Sequence, residues 1–141
     1  MCEGPMKYRT LGKTELKVSS ISFGTLPLPA LKREEAKKVL NEALNRGINF
    51  IDTARGYRES EELIGKAISH NRRKDFYLAT KTRARREKEI MRELETSLKL
   101  LKTYYLDLYQ IHYVNTDKEL DDVLRNDGAL SILQKLKEKG I

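Results

Sequence analysis

The stretch Asn49-Phe50-Ile51-Asp52-Thr53-Ala54-Arg55-Gly56-Tyr57 decides how the rest of the chain is read. Asn49-Phe50-Ile51 has the form of the end of a short buried strand, with Asp52 where the strand stops. Tyr57 follows five positions later, in a loop. A carboxylate at a strand end and a phenol in the next loop can face one pocket.

Working outward, the same strand-then-helix unit recurs on both sides. Upstream, Ile21-Ser22-Phe23 is a short strand ended by Gly24, and Pro27 and Pro29 keep the next loop out of helix. A helix is expected from about Glu34 to Arg46. Its face carries Ala36, Val39, Leu40, Ala43 and Leu44 at helical spacing, and Gly47 supplies a left-handed cap. Downstream, Ser60 is expected to cap a helix starting at Glu61 and buried through Leu63, Ile64, Ala67 and Ile68. Phe76 to Thr80 reads as the third strand. Glu87 to Leu101 reads as a helix burying Ile90, Leu94, Leu98 and Leu101. Leu106 to Ile111 is the fourth strand. Thr116-Asp117-Lys118-Glu119 fits a capping box. Asn126 or Asp127 is expected to cap a last helix carrying Leu130, Leu133 and Leu136. Before the first strand, Tyr8-Leu11 and Leu16-Val18 flank a turn containing Gly12, as in a hairpin.

Strands starting about every 27 to 30 residues, each followed by a helix, make an α/β protein of parallel βα units. Two architectures compete: an open doubly wound sheet and a closed eight-stranded barrel. The open sheet usually carries a glycine-rich phosphate fingerprint after its first strand, and Gly24-Thr25-Leu26-Pro27 is not one. The hairpin suits a plug beneath a barrel.

Reactive side chains stand at the ends of consecutive strands: Asp52, then Lys81 in Leu78-Ala79-Thr80-Lys81, then His112 in Leu108-Tyr109-Gln110-Ile111-His112. In a parallel array these ends share one face, where barrel active sites lie. Each alone has a plain structural reading, a surface lysine or a packed histidine. Three in succession, with Tyr57 beside the first, make a site the better reading. A phenol is a weak acid, with a reference pKa of about 10. A nearby ammonium favours its phenolate. A carboxylate holds the lysine in place, and a histidine can orient a substrate oxygen. That set suits protonation of a carbonyl oxygen as hydride reaches its carbon.

The residues that carry a resemblance are Tyr8-Arg9-Thr10-Leu11-Gly12-Lys13-Thr14, Ile21-Ser22-Phe23-Gly24-Thr25, Gly47 to Ala54 with Tyr57, Ala79-Thr80-Lys81 and Leu106 to His112. Through them the chain resembles the aldo-keto reductase superfamily, over nearly its whole length. The closest likeness is to a microbial branch that often carries a C-terminal iron–sulfur segment. The resemblance implies a TIM barrel and an NADP(H) or NAD(H) cofactor. It implies that Tyr57 is the general acid, that Lys81 tunes it, that Asp52 pairs with Lys81, and that His112 orients the carbonyl. It also places Asp52 and the backbone of Gly24 and Thr25 near the nicotinamide half of the cofactor. Any iron–sulfur cluster would belong to a segment beyond this sequence.

With 141 residues the chain is short for that barrel, which typically needs about 250. Residues 1–141 are therefore expected to form its N-terminal half, four βα units behind a β-hairpin. Most of the dinucleotide grip would lie in the other half, so the isolated chain is expected to be inactive. The expected partners are a small carbonyl or alcohol substrate and a complementing half-barrel or second copy. A non-catalytic interaction module is the alternative.

Composition narrows the remaining classes. Hydrophobic residues make up 39% of the chain, enough for a core, and no apolar run approaches the length needed to span a bilayer. The single cysteine, Cys2, excludes an intrachain disulfide and a cysteine-based metal site, so a cytoplasmic setting is expected. The net charge of +7 gathers at Arg72-Arg73-Lys74 and at Lys81 to Arg86, read as solvated loops or as attraction for a phosphorylated ligand. No nucleic-acid motif accompanies it. His70 reads as a helix-end residue, and Asp107 as a strand carboxylate in need of a partner.

Overall fold

The structure, a computed structural model, describes residues 5–68 and 70–140. The expectations attached to Cys2 and to the His70 side chain lie outside what is described. The elements run β1 (Tyr8–Thr10), β2 (Lys17–Ser19), β3 (Phe23–Gly24), α1 (Arg33–Asn45), β4 (Phe50–Asp52), α2 (Ser60–Ala67), β5 (Tyr77–Thr82), α3 (Glu87–Leu101), β6 (Leu108–Ile111), α4 (Asp117–Leu124) and α5 (Ala129–Glu138). Short 3-10 turns cover Leu28–Ala30 and His70–Asp75.

β1 and β2 pair antiparallel as the expected hairpin. Strands β3, β4, β5 and β6 form one sheet in sequence order, every neighbour parallel. The hairpin is tied to the N-terminal end of this sheet. Asn49 Oδ1 accepts from Ser19 N (2.6 Å), and Asn49 Nδ2 donates to Lys17 O (2.9 Å). Tyr8 Oη donates to Gly47 O (2.9 Å). The hairpin thus closes the end opposite the strand C-termini, as a plug does.

Strand register sorts the side chains onto two faces, because successive residues alternate. Ile51 pairs with Leu78, and Thr80 with Tyr109. These residues face the helices. Ile51 and Leu78 pack with Ala36, Leu40 and Leu44 of α1 and Ile64 and Ala67 of α2. Tyr109 and Ile111 pack with Ile90 and Leu94 of α3 and Ala129, Ile132 and Leu136 of α5. The opposite parity carries Gly24 and Asp52, and Lys81 and Gln110, as paired positions. The two helix-side clusters lie on one side of the sheet. A doubly wound sheet is covered on both sides, so this one-sided arrangement is an arc of a (β/α) barrel.

Several local expectations are corrected. Ser60 does not cap α2; it is its first residue and is fully buried. Its hydroxyl turns inward and bonds Thr25 Oγ1 (2.8 Å) and Thr53 Oγ1 (3.0 Å). Distant hydroxyls win over the local backbone donors. Val39 is exposed, since the buried face of α1 narrows to Ala36, Leu40, Ala43 and Leu44. The cap of α5 is Gly128, and Leu130 points outward while Ala129 and Ile132 are buried. A methyl group on Gly128 would stand 2.6 Å from the carbonyl oxygens of Asp122 and Val123, which leaves no room for Asn126- or Asp127-like side chains at that corner. Ile21 is exposed and precedes β3. Among the clustered basic residues Arg73 is buried. It donates to Thr103 Oγ1 (3.0 Å), Phe76 O (3.0 Å), Tyr105 O (3.1 Å) and Asp107 Oδ2 (2.7 Å). It is the partner that Asp107 required. Other elements match closely: α3 has the expected bounds, and Thr116 and Glu119 form the capping box that starts α4. Gly47 takes φ +86° just past α1.

Candidate active site

Asp52 is the last residue of β4, and two bonds from Thr25 fix its carbonyl: N at 3.0 Å and Oγ1 at 2.9 Å. Thr25 is itself fully buried, so its side chain serves the scaffold and only its backbone borders the face above. Gly24 pairs with Asp52 on that face, and a Cβ there would meet nothing within 4 Å.

Lys81 lies in β5, on the same face. Its Nζ donates to Asp52 Oδ2 (2.5 Å) and to Thr53 O (2.8 Å). The two side chains are 14% and 27% exposed, so the pair is shielded but still reachable by solvent.

Tyr57 sits on the loop after β4, which is pinned at several points. Arg55 N donates to Lys81 O (3.0 Å), Tyr57 N to Ala54 O (3.0 Å), and Ser60 N to Tyr57 O (2.9 Å). Arg55 also forms an ion pair with Glu61, whose carboxylate is wholly buried and accepts from Thr80 Oγ1 (2.7 Å). The Lys81 ammonium lies 5.0 Å from the centroid of the Tyr57 ring, in cation–π range.

His112 follows β6 and extends the ladder, its N donating to Thr82 O (2.8 Å). Its ring meets Tyr57 edge-on, with centroids 5.6 Å apart at 79°. Its Nδ1 is buried with no hydrogen-bond partner among the described residues. Burial pulls the imidazole below its ordinary pKa of 6.5. The charges of Lys81, Arg83 and Arg85 act in the same direction, and Asp52 opposes them. Arg85 braces this corner by donating to His112 O (2.9 Å) and Tyr113 O (2.7 Å), where Tyr113 holds φ +55°.

The four expected residues are thus brought to one end of the sheet. Two hollows elsewhere, along α1 at Asn41 and Asn45 and under the hairpin at Tyr8 and Tyr77, contain none of them. Sequence reasoning missed Glu61, Ser60 and Arg85 as supports. In the sequence Glu61 stands only as the start of a helix, and nothing local marks its partner Thr80. Among the described residues no cluster of three or more His, Cys, Asp or Glu side chains could hold a metal ion. No helix among them is long and apolar enough to cross a membrane.

Comparison with known proteins agrees with this architecture. The chain is 33% identical to "Uncharacterized oxidoreductase YqkF" of Bacillus subtilis, covering 96% of this chain and 46% of that protein. It is 31% identical to L-galactose dehydrogenase of Arabidopsis thaliana, with 96% and 46% covered. Among solved structures, the holo form of aldo-keto reductase AKR11C1 from Bacillus halodurans superimposes with a TM-score of 0.81 at 33% identity, covering 96% of this chain and 47% of that one. The chain spans about half the length of the curated relatives it matches. The model of the Aldo/keto reductase family matches residues 20–141, and the chain belongs to that family.

Proposed function

We propose that the strand-end quartet reduces a carbonyl group, and in reverse oxidises an alcohol, with Tyr57 as the general acid. The observation that carries this reading is the contact of the Tyr57 ring with both Lys81 and His112, on a face that Asp52 shares through its bond to Lys81. Tyr57 hands its phenolic proton to the carbonyl oxygen. The Lys81 ammonium stabilises the phenolate left behind. Asp52 and Thr53 O fix that ammonium, so no reorganisation is needed as charge develops. His112, kept neutral by its surroundings, donates from one ring nitrogen to the substrate oxygen and orients it.

The hydride is assigned to NADP(H) or NAD(H), which supplies it when bound. The residues present fit its nicotinamide half. Open space stands over Gly24, and Gln110 Oε1, on the Lys81 face, is a buried acceptor with no donor among the described residues. Asp52 and the backbone of Gly24 and Thr25 would border that group. Binding the rest of the dinucleotide falls to the other half of the barrel.

A second reading concerns assembly. β3 and β6 are the edges of the sheet, and its inner face at Phe50, Asp52, Lys81 and Gln110 is only half-buried. Such edges favour a complementing half-barrel or a second copy. A second copy should appear in gel filtration as a dimer. A monodisperse monomer with no uptake of a complementing half would exclude this reading.

The test of the chemistry is Tyr57→Phe, in the chain closed by a complementing half. Aldehyde reduction should fall about 10²–10⁴-fold, the usual contribution of a general acid, while nucleotide binding is retained. Equal loss of both would assign Tyr57 to structure.

A further inference from the structure

Beside the quartet the structure holds a cation that the chemistry above does not use. Arg83 follows Lys81 by two positions and is exposed. Its guanidinium lies over the Tyr113 ring, 4.4 Å from the centroid. Tyr113 in turn packs on His112, ring centroids 4.2 Å apart. A methyl group built on Gly56, next to Tyr57, would stand 3.2–3.3 Å from the same guanidinium. Arg83 is therefore seated between the two loops that carry Tyr57 and His112.

Three of the neighbouring arginines have partners of their own. Arg55 is paired with Glu61, Arg85 donates to four backbone carbonyls, and Arg86 faces Asp127 at 3.8 Å. Arg83 has no ion pair and no hydrogen bond among the described residues; stacking alone fixes it. A guanidinium held flat by an aromatic face keeps its edge donors free, in the fork geometry that matches a carboxylate. A surface arginine merely serving solubility has no need of a seat against Tyr113 and Gly56.

We propose that Arg83 is a specificity residue that binds the anionic group of a carboxylate-bearing aldehyde or ketone whose carbonyl sits at Tyr57 and His112. This deepens the function proposed above and rests on it. Arg83 takes no part in the proton transfer. Its role is to anchor the far end of the substrate, so its removal should affect affinity for anionic substrates alone. The donor edge would also suit a phosphate of the nucleotide, and the experiment separates the two sources.

The probes are 4-carboxybenzaldehyde and its neutral counterpart benzaldehyde, titrated into the chain while the His112 imidazole signal is followed by NMR. The carboxylate should improve binding roughly tenfold, the low end of what a charged hydrogen bond contributes at a screened site. Raising the salt should shrink that preference, and Arg83→Gln should erase it while leaving benzaldehyde binding unchanged. Equal binding of the two aldehydes by the parent chain, no binding of either, or a preference that survives in Arg83→Gln would each overturn the proposal. So would an Arg83→Gln chain whose NADP⁺ binding, with the complementing half present, falls by the same factor, because the anion would then be the nucleotide's. Tyr57→Phe distinguishes the underlying reading: it should keep the carboxylate preference and, in the chain closed by a complementing half, lose turnover. Turnover surviving in Tyr57→Phe would sink the catalytic assignment and leave the Arg83 binding result standing on its own.

Discussion

Replacing Glu61 by alanine should destabilise the fold by about 3–5 kcal/mol, the range for removing one member of a buried ion pair. The structure fixes where in that range the loss falls. The Glu61 side chain is fully buried and holds both Arg55 and the buried Thr80 hydroxyl. Alanine removes the carboxylate, strands the Thr80 donor and leaves a cavity. Arg55 is 24% exposed, so water can reach part of its guanidinium and soften the loss toward about 3 kcal/mol. Glutamine preserves the volume and one acceptor, for Thr80, but turns its NH2 toward the Arg55 guanidinium, so the charge and that hydrogen bond are both lost. It should cost about 2–3 kcal/mol, as for the loss of a hydrogen bond to a charged group. Urea unfolding followed by far-UV circular dichroism measures both, with the midpoint falling and the slope unchanged. A loss of about 3 kcal/mol is a large share of the total stability of about 5–15 kcal/mol usual for a domain. An alanine variant within about 1 kcal/mol of the parent would refute the view that Glu61 anchors the Tyr57 loop.

Two further outcomes follow from the packing and charge of the site region. Gly65→Ala should lower the melting temperature by several degrees. The new methyl would stand 2.1 Å from Leu100 O and 2.8 Å from Leu101 C, and backbone atoms cannot rotate aside. Overpacking of about 1–3 kcal/mol should exceed the gain in helix propensity of about 1 kcal/mol. Gly24→Ala, with nothing within 4 Å, is the control and should change stability little; a Gly65→Ala chain as stable as the parent would contradict the observed approach of α2 to α3. His112 should titrate by NMR below its ordinary 6.5, and Arg83→Gln should raise its midpoint by removing one of the opposing charges. Between that depressed midpoint and 6.5 the unfolded chain binds more protons than the folded one. Stability should therefore rise with pH across this window and level off above 6.5. A midpoint at or above 6.5 would contradict the burial and charge described for this ring.

The sequence exposed what repeats and what is local. Asp52, Lys81 and His112 could be found because each lies within a residue of the C-terminal end of a strand and the βα spacing puts those ends on one face. The bounds of α3 and the Thr116 cap of α4 were legible for the same reason, since their determinants lie within a turn or two. Interactions across the fold were hidden. Ser60 looked like a cap because its partners, Thr25 and Thr53, are brought to it only by β3 and β4. Arg73 looked like one of a solvated trio because Asp107 is 34 positions away. Glu61 gave no sign of its role for the same reason, its partner Thr80 being 19 positions away. Arg83 was legible as a charge, and its seat depends on the placement of Tyr113 against His112.

The pairing of β5 with β4 and β6 has one more consequence. Tyr77, Ala79 and Lys81 alternate with Leu78, Thr80 and Thr82, so sliding β5 by a single residue exchanges the two sets. Lys81 would then be thrust toward α2 and α3 without Asp52, and Leu78 would be pushed out of its apolar nest. The misaligned strand is thus penalised by a stranded ammonium as well as by a spoiled core. The alignment that buries Leu78 is therefore the same one that brings the Lys81 ammonium to Asp52.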